Sequence, residues 1–182
     1  MNLGIAVKAA AAVMTLIAPA AAGATPVEML KGVKLSVLAY EGGKLVATTT
    51  PSGEQDIENM RQQVEKTLKE VGLDFSFAEG CAAAASDVVL IIGLEPAVGG
   101  FGGGVLVMRK SDKKELLRKD WFGEMDARLD ISTPLPPEQM AKVRATLTRR
   151  FMLADFYTKL KTGLSTGKWG KGNVSKRLPK CL

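Results

Sequence analysis

Cys81 and Cys181 are the two cysteines of this sequence, one hundred positions apart. In an oxidising compartment two thiols are enough for one disulfide. Bridging them would close a loop for which chain entropy allows about 4–5 kcal/mol of stabilisation. Two other readings stay open: free thiols, with Cys81 buried as a small apolar residue, or a bridge to a second chain through Cys181. Three short fragments have the residue types of serine acyl-transfer chemistry: Ser111-x-x-Lys114, Ser86-Asp87 and Lys161-Thr162-Gly163. That chemistry needs Ser and Lys on one helical turn, with the other two fragments following in order. Here Ser111 falls in a Ser-Asp-Lys-Lys turn and Ser86-Asp87 precedes it, so turn chemistry is the better reading. The sequence has no His, which excludes Ser-His-Asp and Cys-His catalysis and His-based zinc sites. No catalytic residue, metal ligand or cofactor site is expected.

The remaining candidates are weaker. Gly99-Gly100-Phe101-Gly102-Gly103-Gly104 invites a phosphate cradle, yet no frame fits G-x-G-x-x-G and the next run reads as a strand. A hairpin tip is expected instead. Gly163 to Lys168 imitates a phosphate loop but is one residue short, and Trp169 stands where Ser or Thr would meet magnesium. Glu124, Asp126 and Asp130 have hard oxygens but not the spacing of a calcium loop. Trp121, at a strand end, is expected to pack rather than to stack on a ligand.

The basic residues are unevenly placed. The chain carries 25 Lys+Arg against 19 Asp+Glu, a net charge of +6. Residues 25–162 hold 19 of each sign, whereas the tail from Gly163 holds Lys168, Lys171, Lys176, Arg177 and Lys180 with no acid. A nucleic-acid footprint needs a basic face on a folded body, so no specific nucleic-acid partner is expected. Weak contact between the tail and an anionic surface is. In residues 1–24, Lys8 supplies a positive n-region, an apolar run follows from Ala9 to Ile17, and Pro19 and small-x-small sites close the segment. These are the parts of a secretory signal peptide, too short in its apolar run for a membrane span. Cleavage after Ala24, or after Ala22 as second choice, would give a periplasmic or secreted chain with no transmembrane segment.

Positioning these residues falls to a few elements. Val33, Leu35, Val37 and Ala39 alternate with Lys34, Ser36, Leu38 and Tyr40, the period of a strand. Gly42-Gly43 then signals a hairpin into Leu45–Thr49. Ser52 and Gln55 form a capping box, and Ile57, Met60, Val64, Leu68 and Val71 trace an amphipathic helix from about Gly53 to Val71. Asp74–Phe77 is short and extended. Runs at Asp87–Ile92, Val105–Met108 and Leu116–Phe122 read as an antiparallel meander. Pro137 opens a second helix that should stop at Gly163. Met140, Val143, Leu147, Phe151 and Ala154 are its expected inward stripe. Leu153, Phe156 and Leu160 form a second stripe that needs another cover, with Trp169, Val174 and Leu178 as the candidates.

The expected fold is therefore α+β in the order β(β)-α-β-β-β-α, with a mostly antiparallel sheet and two amphipathic helices on one face. The expected organisation is a signal peptide at 1–24, one domain at 25–162 and a basic Gly/Lys-rich tail at 163–182. This order, together with SDVVLIIG, GGFGGG and ELLRKDW, resembles bacterial envelope domains such as the TolB amino-terminal domain and the CsgG secretion channel. The resemblance implies a non-catalytic accessory or binding role in the envelope, although no lipidation Cys lies near the cleavage site. Two other readings remain: a binder of anionic polymer or lipid headgroups through the tail, and a small His-independent periplasmic hydrolase.

Overall fold

The structure is a computed structural model that describes residues 23–46, 60–97, 100–124 and 136–170. Helix α1 (Pro26–Leu30) opens it. Strands β1 (Lys34–Glu41) and β2 (Lys44–Leu45) follow, then helix α2 (Met60–Glu70) and strand β3 (Asp74–Phe77). Strands β4 (Val88–Ala97), β5 (Gly100–Arg109) and β6 (Lys114–Glu124) precede the 30-residue helix α3 (Pro137–Thr166).

The sheet runs β2-β1-β4-β5-β6, with β3 sharing the outer edge of β1 with β2. The hairpin at Gly42-Gly43 is present, both glycines at positive φ as a two-residue loop requires. The meander β4-β5-β6 is antiparallel. The class is α+β, but β1 pairs in parallel with both β3 and β4, so the centre of the sheet is mixed. The extended Asp74–Phe77 run is a full strand, one more than the expected order counted. Helix α1 was not expected either; Thr25 and Glu28 build a capping box around its first turn.

All three helices cover one sheet face. Leu30, Val64, Leu68, Leu153, Phe156 and Leu160 join Leu35, Val37, Leu90, Ile92, Phe101 and Val107 in the main core. The opposite face carries a second cluster, Leu38, Val89, Ile91, Leu106 and Met108, with Ala84 packed on it. Parallel β3 and β4 lie on opposite sides of β1, so their connection, residues 78–87, must cross β1. It does so on this second face, where the Ser36 hydroxyl accepts a hydrogen bond from the Ser86 N–H at 2.9 Å. The glycine-rich run proves to be strand rather than hairpin tip from Gly100 onward. The reason is a close approach: a Cβ at Gly103 would overlap the Trp121 indole opposite it on β6.

Candidate binding surfaces

Helix α3 reverses the expected assignment of its two stripes. Phe151, placed inward by its spacing, is 60% exposed. Ala154 is exposed, and Met140, Val143 and Leu147 are half-buried. Leu153, Phe156 and Leu160, expected to point away from the sheet, are at most 1% exposed and sit in the main core. Thirty residues at about 1.5 Å each make a helix of about 45 Å. Among its described positions the fully buried ones begin at Met152. The first half is fastened to the sheet by Arg149, whose guanidinium donates to both Glu41 carboxylate oxygens at 3.1 Å. Of the Met140-Val143-Leu147-Phe151 stripe, Phe151 is the exposed residue and the other three are half-buried. Arg150, exposed, lies beside it.

The second half of α3 ends in an aromatic stack. Trp121 lies between Phe156 and Trp169, with ring centroids 5.4 Å from each. Gly163, the expected helix stop, is inside the helix and buried, because a Cβ there would overlap the Trp169 ring. The helix stops at Gly167, in the left-handed conformation at φ 71°. Trp169 therefore does reach the Phe156 side, as expected of it. Val174 and Leu178 lie outside the described residues. The indole nitrogens of Trp121 and Trp169 are both buried, with no acceptor among the described residues.

The second sheet face has a different make-up. Gly93 of β4 pairs with Gly104 of β5, which in turn pairs with Asp120 of β6. Both glycines are buried, and together they leave a strip of bare backbone beside the Ile91–Leu106 pair. Glu95 and Asp120 share this face with Arg118, opposite Leu106, and its ion-pair partner Glu115. Asp120 Oδ1 is buried with no hydrogen-bond partner among the described residues, and desolvation pushes its carboxyl above the ordinary value of 3.8. Cys81 packs at the β1 margin of the cluster. Among the described residues there is no free thiol, and Cys181 lies outside them.

Two of the three acyl-transfer fragments are brought together, but as a brace, while Lys161 of the third pairs with Glu70 on α2 at 2.7 Å. Ser111 donates to Asp87 through its N–H at 2.8 Å and its hydroxyl at 2.9 Å. Asp112 takes a two-pronged hydrogen bond from Arg109, and the turn places Lys113 at φ 56°. Ser111 is exposed, and its bonds fasten the β5–β6 turn to the start of β4. The phosphate-loop imitation ends a helix instead of beginning one, so its dipole would repel an anion. Glu124 ends β6, while Asp126 and Asp130 lie outside the described residues. A shallow groove of about 410 Å³ runs between α2 and β3. Its charges are engaged, Lys69 with Glu65 at 2.6 Å and Arg61 over the Phe77 ring. Of the basic tail, Lys168 is exposed just past α3; Lys171, Lys176, Arg177 and Lys180 lie outside the described residues. Sequence reading missed both the exposure of Phe151 and the Gly93–Gly104 strip. The strip had a signal, Gly93 inside an apolar strand.

No family model matches the chain, and no curated protein does. Among solved structures it is similar to protein XCC0632 of Xanthomonas campestris, from the family DUF330, at 12% identity and a TM-score of 0.41; 74% of this chain and 85% of that one are covered. It is also similar to the hypothetical protein CT253 of Chlamydia trachomatis, at 7% identity and a TM-score of 0.34, over 75% of this chain and 99% of that one.

Proposed function

We propose that the chain is a non-catalytic accessory protein of the bacterial cell envelope, exported and then docked to an envelope protein through the first half of α3. The observation that carries this reading is Phe151, a large apolar side chain that α3 leaves 60% exposed. Aromatic side chains of this kind are enriched where another protein covers the surface. Arg150 at the rim favours a partner that sets acidic groups around an apolar groove, the arrangement by which an amphipathic helix is taken up. Export rests on the leader at 1–24. Cleavage after Ala24 suits the first turn of α1: the Thr25 nitrogen already donates to Glu28 at 2.7 Å, and as a free ammonium it would hold that carboxylate more strongly.

A photo-crosslinking residue at position 151, expressed in the exported chain, tests the reading. Capture of one defined envelope protein is expected, with loss of capture when Leu147 is changed to Glu. No adduct at 151 or 147, while a position on α2 gives the same background, would overturn it. Anionic vesicles, added in parallel, test the tail reading. Binding that falls steeply with salt and disappears on deletion of residues 171–182 would put the tail in place of α3.

A further inference from the structure

The two edges of the sheet are built differently. Strand β6 carries Lys114, Glu115, Arg118, Lys119 and Asp120 and bulges at Leu116, devices that keep an edge from pairing. Strand β3, at the other edge, reads Asp-Phe-Ser-Phe and pairs, among the described residues, with β1 alone. The register decides which of its backbone groups are used. Phe75 lies opposite Leu35 and Phe77 opposite Val37, and the Ala78 N–H donates to the Val37 carbonyl at 2.9 Å. In a parallel ladder Val37 bonds to the residues on either side of Phe77, so Ser76 and Ala78 turn their backbone groups inward. Phe75 and Phe77 turn theirs outward, two N–H and two C=O groups along the edge.

This edge is complementary to itself. A twofold axis through Ser76, perpendicular to the sheet, sets Phe75 of each copy opposite Phe77 of the other in an antiparallel pair. Each of these pairs exchanges both backbone bonds, and the rings meet across the strands on the helix side. Helix α2 packs over β1 and β3. Lying about half a strand spacing inside β3, it comes to roughly 10 Å from its symmetry mate, the usual separation of packed helices. The groove lined by Arg61, Glu65 and Lys69 then becomes the seam between the two helices. Arg61 sits 4.2 Å over the Phe77 ring, about 3 Å to one side of Ser76 along the strand. Glu65, one turn on and roughly 6 Å back, is about 3 Å to the other side. The twofold exchanges the two sides, so Arg61 of each copy stands level with Glu65 of the other.

We propose that a second copy of this chain docks on β3, joining the two sheets through Ser76 and packing α2 against α2 in an isologous dimer. Four residues of strand are too few to hold two molecules by backbone bonds alone. The half-buried Phe75 and Phe77 add apolar area, and the seam adds charge. Within one copy Lys69 pairs with Glu65 at 2.6 Å and Arg61 with Glu79 at 3.7 Å. Contact between Arg61 and Glu65 across the axis links these pairs into a row of alternating sign. The dimer shares no residue with the Phe151 surface and does not depend on docking there.

Sedimentation velocity of the full exported chain over a concentration series tests the proposal. The weight-average mass is expected to rise from that of a monomer towards twice that value, with or without reductant. A mass that stays monomeric, or a dimer that reductant dissolves, would overturn it. Ser76→Lys places two ammonium groups at the axis on an exposed position; it should melt like the parent and remain monomeric, and an undiminished dimer would refute the axis. Ser76→Cys should give a disulfide-linked dimer on mild oxidation, since the Cβ atoms of a non-hydrogen-bonded antiparallel pair approach within bridging distance. An equal yield from Lys119→Cys on β6 would mean that the crosslink reports random collision and would count against β3. Arg61→Glu should weaken the dimer several-fold, and adding Glu65→Arg to the same chain should restore it. Failure of the double variant to recover would remove the α2 seam.

Discussion

Phe151 and Phe156 are five positions apart on one helix and have opposite environments, which makes them the sharpest test at the scale of a residue. Phe156 is buried between Phe101 and Trp121. Phe156→Ala should cost about 3–5 kcal/mol in chemical denaturation, since it removes a ring and leaves a cavity. Phe151→Ala should change stability by no more than about 0.5 kcal/mol. Comparable losses at both positions would mean that the first half of α3 is covered by its own chain. Gly103→Ala belongs beside these. The new methyl would meet the Trp121 indole, and overpacking of this kind costs about 1–3 kcal/mol. The same substitution at Gly42 would report a different cause, backbone strain at φ 57°.

Elements carry the next two tests. Leu153→Asp should unfold the domain, because it buries an unpaired charge at about 3–5 kcal/mol. Leu147→Asp, on the half-buried stripe, should leave a cooperative melt near that of the parent. Thermal unfolding of the two variants decides which stripe of α3 is the inner one. Val64→Asp on α2 should behave like Leu153→Asp, since Val64 is 0% exposed. The capping box of α1 gives a pH dependence. The Thr25 backbone N–H, then its hydroxyl, hold Glu28 below its ordinary value of 4.5. The folded value lies below the unfolded one, so the stabilisation is full above pH 4.5 and is lost as pH falls through the folded value. Glu28→Gln should therefore melt below the parent at neutral pH, and the gap should close in acid. A gap independent of pH would remove the box as its source.

For the whole molecule, one sheet presents two faces of different kinds. The helix side is closed by three helices and an aromatic stack. The other is crossed at one margin by the 78–87 connection. N-terminal sequencing of the exported chain is expected to begin at Thr25. A retained Met1 in the membrane fraction would overturn the export reading.

Much of this protein is legible in its sequence. The alternation from Val33 to Tyr40, the Gly42-Gly43 hairpin, the Val64-Leu68 stripe and the start of α3 at Pro137 are local patterns. Each follows from backbone geometry and side-chain period within a few turns of chain. The residues around Ser111 likewise read correctly as a turn, because turn chemistry is settled by neighbours. Periodicity also found both stripes of α3, at the right angle to each other. It assigned them to the wrong sides, because the angle between two stripes does not say which length of helix lies over the sheet. That depends on where β5 and β6 put Phe101 and Trp121, dozens of positions earlier. Gly163 reads as a helix stop for the same reason: the ring that needs its missing Cβ belongs to Trp169, which folds back onto Trp121. Tertiary structure alone decided that β1 would take parallel partners on both sides. With that choice, the 78–87 connection had to cross β1, and Cys81 was carried to the face opposite the helices.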